Sequence, residues 1–132
     1  MDEICEVIIT APDADWLAQF TRQLVVQRLA ACGHNIAAIR SIYRWEGEIY
    51  DLSEARVALH TRRSLVPEIV EQTNRNHPYK VPCVIATQVV DGNPSYIRWV
   101  NDETKAAAAL SVVEQAKQDS GGHDVEGCKN RK

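Results

Sequence analysis

Two stretches of alternating side chains, separated by the pair Glu46-Gly47, constrain this 132-residue chain more than any other feature. Ile39, Tyr43 and Trp45 recur at even spacing in 36–45, and Ala55, Val57, Leu59 and Thr61 do so in 48–61. A period of two places each set on one face of a strand, and a glycine in a tight connection tolerates positive φ. The segment is therefore predicted to be a long β-hairpin. Its arms exceed what one small domain needs, and they carry the large apolar residues Ile42, Tyr50 and Leu52. The expectation is a homo-oligomer whose hairpins reach across subunits.

The flanking segments complete a pattern. Ile4-Cys5-Glu6-Val7-Ile8-Ile9-Thr10 reads as a strand with Cys5, Val7 and Ile9 on one face. Pro12 and Asp13 open a helix whose apolar side holds Trp16, Leu17, Phe20, Leu24 and Ala31, with Gly33 expected to end it. Ser64 is expected to cap a second helix over 65–76, which Pro78 cannot continue. Residues 83–90 read as a strand, Asp91-Gly92-Asn93-Pro94 as a turn, and Ser95 as the cap of a short helix carrying Tyr96 and Trp99. The order β-α-β-β-α-β predicts an α+β, ferredoxin-like sandwich with both helices on one face of an antiparallel sheet. Residues 1–102 form this domain, an alanine-rich helical extension is expected over 103–118, and a flexible tail over 119–132.

Charge and composition narrow the function. The net charge is −3 and no basic stripe exists, so no nucleic-acid partner is expected. No apolar run has the length of a membrane span, and the acidic start Met1-Asp2-Glu3 lacks the character of a secretory leader, so a cytoplasmic protein is expected. Cys5, Cys32, Cys83 and Cys128 are widely spaced with no CxxC pair, which suits free thiols in a reducing compartment. There is no P-loop, Rossmann fingerprint or nucleophile elbow, and nothing in the sequence sets a Cys–His pair against an orienting third group. The chain is not expected to be an enzyme.

Soft metal ligands are the chemistry it does offer. With Glu46-Gly47 as the turn, Trp45 faces Glu48, Tyr43 faces Tyr50, Gly33 faces His60 and His34 faces Leu59. Cys32, His34 and His60 then meet at the open end of the hairpin. An unbroken register puts His60 on the face opposite Cys32 and His34, whereas a bulge near Ala37-Ala38 changes that parity. Thiolate and imidazole together suit Cu(I) or Zn(II), although the spacing matches no standard zinc motif, and Cys32 also fits a small buried hydrophobe. His77, braced by Pro78 and Tyr79 beyond a helix end, is a second candidate ligand or simply a cap on the last carbonyls. Cys83 is a soft ligand or a packed cysteine; Glu54 is an oxygen ligand or part of a solvated strand face. Tyr43, Trp45, Tyr50, Tyr79, Tyr96 and Trp99 are expected at interfaces, core edges or a pocket.

Three ordered stretches, Arg28-Leu29-Ala30-Ala31-Cys32, Ser41-Ile42-Tyr43-Arg44-Trp45-Glu46-Gly47-Glu48-Ile49 and His77-Pro78-Tyr79-Lys80-Val81-Pro82, followed by Tyr96-Ile97-Arg98-Trp99-Val100, strongly resemble the CutA family of divalent-cation tolerance proteins over roughly 4–102. The resemblance implies a ferredoxin-like fold, a compact trimer and a cytoplasmic role in metal-ion tolerance, copper foremost, with an architecture like that of PII signalling trimers. It implies metal chemistry at Cys32 and His77, with Glu54 matching a family glutamate. The chain departs from the family pattern at His60 (usually Lys), Cys83 (usually Glu), Gly33-His34 (usually Val-Asn) and Ala37-Ala38 (usually Pro-Gly). These departures add soft ligands. No cofactor is obligatory under this reading; a copper or other divalent ion is the expected ligand. A PII-like sensor of a small ligand held in subunit clefts, or a trimeric scaffold for a protein partner, is the alternative.

Overall fold

The computed structural model describes residues 1–107. Strand β1 (Ile4–Ala11) leads to helix α1 (Ala14–Val26), then to the hairpin β2 (Cys32–Trp45) and β3 (Glu48–Arg62). A short 3-10 turn (Arg63–Leu65) feeds helix α2 (Val66–Asn76), strand β4 (Val84–Gln88) and helix α3 (Pro94–Glu103). The sheet order is β2-β3-β1-β4 with every pair antiparallel, which is the predicted ferredoxin-like arrangement. Residues 104–107 leave the helix; the rest of the extension expected over 103–118, and the tail 119–132, lie outside the described residues.

One face of the sheet carries the core. Cys5, Val7, Ile9 and Ala11 of β1 and Ala55, Val57 and Leu59 of β3 pack against Leu17, Phe20 and Leu24 of α1 and Ile69 of α2. Each large apolar side chain fully buried here contributes about 1.5–3 kcal/mol. The opposite face is only partly covered. Val100, Tyr96 and Ile97 of α3 pack there around Ile4 and Ala31, while Ile36 and Ile85 remain more than half exposed.

Three local expectations need correction. Helix α1 stops at Val26, well before Gly33, because Arg28 takes a left-handed φ of 62° and turns Leu29 and Ala30 into the core. That early stop frees Cys32 and Gly33 to begin β2. Ser64 does not cap α2; its hydroxyl donates to Asp2 Oδ2 at 2.7 Å, and the helix starts from the 3-10 turn with Pro67 in its first turn. Asn93, not Ser95, caps α3, its side chain accepting from the Ser95 amide with Pro94 opening the helix.

The hairpin register decides where the polar side chains point. Pairing runs regularly from Trp45↔Glu48 to Ile39↔Glu54, shifts across Ala37/Ile39, and resumes as Ala37↔Ala55 down to Cys32↔His60. The extra residue is a β-bulge, and it exchanges the two faces of β2 below it relative to β3. Cys32 and His60 therefore share a face, the parity that an unbroken register would have denied them. Gly33, next along β2 and paired with Leu59, faces the core side, where a Cβ would lie 2.5 Å from Thr21 Cγ2. The missing side chain lets β2 approach α1 closely.

Candidate metal centre

The face opposite α1 and α2 holds a compact polar cluster at the N-terminal end of β1. Cys32 and His60 are direct cross-strand partners, and Glu6 of β1 is paired with His60 on its other side. Tyr96 reaches the cluster from α3. Cys32 Sγ lies 3.6 Å from His60 Nδ1 and 3.2 Å from the Tyr96 hydroxyl. That hydroxyl lies 2.5 Å from His60 Nδ1, and His60 Nε2 lies 2.8 Å from Glu6 Oε2. His34, two residues along β2 and exposed, sets its ring edge-on to that of His60 at a centroid distance of 5.3 Å.

These contacts assign the hydrogens. A carboxylate only accepts, so His60 Nε2 donates to Glu6, and in that tautomer the ring's lone pair lies at Nδ1. Burial, reinforced by Cys32 and Glu6, raises Tyr96 far above the usual phenol range, so Tyr96 keeps its proton and donates to Nδ1. Glu6 thus orients His60 as a second-layer carboxylate orients a metal-binding histidine.

The donor set fits a soft or borderline ion. A sulfur and two imidazole nitrogens, from Cys32, His34 and His60, lie within 4.8 Å of one another. A thiolate and an imidazole on one tetrahedral zinc-sized ion stand about 3.6 Å apart, given bonds of about 2.3 and 2.0–2.1 Å. The Cys32–His60 separation matches that spacing without rearrangement. The structure also supplies what the sequence did not show, a carboxylate behind the imidazole of a Cys–His pair. His34, however, is a third donor for which a thiol–imidazole pair has no use.

The remaining candidates are gathered elsewhere. His77 Nε2 donates to the Thr10 carbonyl at 2.7 Å, and Nδ1 accepts from the Tyr79 amide at 2.9 Å. Both ring nitrogens thus serve backbone groups, with His77 8% exposed. Glu54 is buried and accepts from the Tyr79 hydroxyl at 2.8 Å. Cys83 precedes β4, and its carbonyl accepts from the Thr10 amide. Thr10 and Glu6 are four residues apart on β1, about 13 Å at the rise of an extended strand. Among the aromatics, only Tyr96 enters the cluster, with Trp99 tilted against it at 5.6 Å. Tyr43 and Tyr50 stack on each other at 5.3 Å out on the hairpin, where Trp45 is half-buried.

Glu6 and Tyr96 complete the cluster, yet sequence reasoning placed neither beside His60. A charged residue inside the otherwise apolar run Ile4–Ile9 was the available signal for Glu6.

Comparison with known proteins bears on this cluster's setting. The profile of the family described as CutA1 divalent ion tolerance protein matches residues 5–103. A mouse relative, "Protein CutA", is 38% identical over 80% of this chain and 59% of its own length. A Thermus thermophilus relative, "Divalent-cation tolerance protein CutA", is 34% identical over 79% of this chain and 99% of its own. This chain therefore spans little more than half of the mouse protein but nearly all of the bacterial one. The crystal structure of CutA1 from Oryza sativa superposes with a TM-score of 0.78 at 30% identity, covering 80% of this chain and 97% of that one.

Proposed function

The chain belongs to the CutA1 divalent ion tolerance family, and from that premise we propose that it is a homotrimeric, cytoplasmic protein of metal-ion tolerance that captures a soft or borderline ion, copper foremost, without catalytic turnover. The observation that carries this reading is the convergence of Cys32, His34 and His60 on one side of the hairpin. Two of those three residues are where the chain departs from the family pattern. Such a site lies apart from the His77 and Glu54 that the family resemblance implies.

When bound, the ion would be held by the Cys32 thiolate and the two imidazoles, and its chemistry would be that of a sequestered cation. The protein's own contributions are to orient His60 through Glu6 and to keep the thiol half-buried. Trimer formation is supported by the incompletely covered sheet face and by Ile42 and Ile49, each about 60% exposed on the hairpin. Among the described residues no helix is long and apolar enough to cross a membrane.

Titration of metal-free, reduced protein with Cu(I), Cu(II) and Zn(II) against competing chelators tests the proposal. Tight, stoichiometric binding that is lost in Cys32→Ala and His60→Ala is the expected result. Weak, non-stoichiometric binding unchanged in both variants would remove metal capture from consideration.

A further inference from the structure

The atom His60 would present to a metal ion is already in use. Nε2 is committed to Glu6, so the lone pair available for coordination is the one on Nδ1, and the Tyr96 hydroxyl lies 2.5 Å from it. The same hydroxyl lies 3.2 Å from Cys32 Sγ. One phenol therefore sits against two of the three ligand atoms. A lone pair that accepts a hydrogen bond along its own direction cannot at the same time bind a cation. Hydroxyl and ion exclude each other at Nδ1.

We propose that Tyr96 is a gate on the Cys32–His34–His60 site, its hydroxyl competing with the metal ion for His60 Nδ1, so that occupancy of the site displaces Tyr96 and loosens the helix that carries it. This inference rests on the metal reading above and adds its regulation.

The structure gives the gate something to move. Tyr96 lies in the first turn of α3, a helix of ten residues, and packs with Ile97 and Val100 against Ile4 and Ala31. The far end of α3 is anchored: Arg62 donates to the Asn101 and Thr104 carbonyls, and Arg28 donates to those of Asp102 and Glu103. The near end is held by its Asn93 cap and by Tyr96 and Ile97, and the residues before Tyr96 are exposed. Displacing Tyr96 therefore loosens the N-terminal half of α3 and leaves its C-terminal half in place. Trp99, 5.6 Å from Tyr96 and 41% exposed on the half that stays, loses the ring it leans against, which changes the surface offered to a partner. An ion bound on the sheet would be reported on the helix.

Substitution Tyr96→Phe removes the competing hydroxyl and keeps the ring. Full-length wild-type and variant protein are titrated with Zn(II) and Cu(I) against chelators, with amide hydrogen exchange followed across 94–103. Expected is roughly tenfold tighter binding by Tyr96→Phe, the factor that one lost competing hydrogen bond corresponds to. Zinc should also speed exchange in the first half of α3 in wild type and change it little in the variant. Equal or weaker binding by Tyr96→Phe, in a protein whose wild type binds stoichiometrically, overturns the gate and leaves the metal site standing. Stoichiometric binding by neither protein overturns the metal site and the gate with it. Should Tyr96→Phe not fold, the wild-type exchange experiment decides alone: unaltered protection of 94–103 at saturating zinc overturns the gate.

Discussion

The Tyr79 hydroxyl donates a 2.8 Å hydrogen bond to Glu54 Oε2, and both residues are almost wholly buried, Tyr79 at 3% and Glu54 at 4% exposure. This pair joins the loop after α2 to β3 next to the bulge. A buried carboxylate that loses a donor bears the cost of its desolvation without the matching contact. Tyr79→Phe should therefore lower stability by about 1–3 kcal/mol, seen as a lower urea midpoint with an unchanged slope. An unchanged midpoint would show that solvent reaches Glu54.

His77 tests whether the metal site lies where the structure gathers ligands or where the family resemblance points. Its ring bridges the Thr10 carbonyl and the Tyr79 amide. His77→Ala is expected to destabilise the fold by about 2 kcal/mol, the scale of two buried hydrogen bonds, while zinc affinity measured on the folded variant stays within about twofold. Loss of stoichiometric zinc binding in folded His77→Ala would move the site to the other end of β1.

Glu6 touches the site through its hydrogen bond to His60. Replacing it with glutamine keeps the shape but lets an amide NH2 face Nε2, which removes the fixed orientation of the ring. Glu6→Gln should weaken zinc binding about 10–100-fold, the usual effect of losing a second-layer carboxylate, with little change in urea stability. Equal affinity would mean that cross-strand packing alone orients His60.

Cys5 sets an alkaline limit on stability. Burial raises its thiol to about 11 from an ordinary value of 9.0. The folded chain therefore holds a proton that the unfolded chain gives up above about pH 9, and stability falls as pH rises from 9 through 11. The urea midpoint should drop across that window and drop less in Cys5→Ala. Parallel profiles would assign the loss to another group.

The regular parts of this fold were legible because their periods are strong. The hairpin, the N-terminal strand and the apolar stripe of α1 could be read from spacing. What escaped depended on backbone conformations and contacts that spacing does not encode. Arg28 takes the left-handed region without being glycine, so α1 ends where no signal marks it. Ser64 had the chemistry of a cap but found Asp2 instead. The candidate ligands Cys32, His34 and His60 were legible as residue types, and their shared face was readable only on the condition of a bulge. Glu6 and Tyr96 were not, because the first joins through the β1–β3 pairing and the second through a helix more than thirty residues on from His60.

The bulge at Ala38 carries a consequence in terms of pairing register rather than side-chain identity. The hairpin consists of two registers spliced by one residue. The outer arm can change its composition freely without disturbing the ligands, and loss of the one spliced residue would leave Ala37↔Ala55 down to Cys32↔His60 paired as they are, whereas straightening the bulge with that residue kept would turn the segment from Cys32 to Ala37 inside out. Cys32 and His34 would face the helices and Gly33 would face His60. A set of ligands built this way tolerates many point substitutions and can absorb the loss of one residue at the splice, so a slip of pairing register that straightens the bulge is the lesion to which this centre is most exposed.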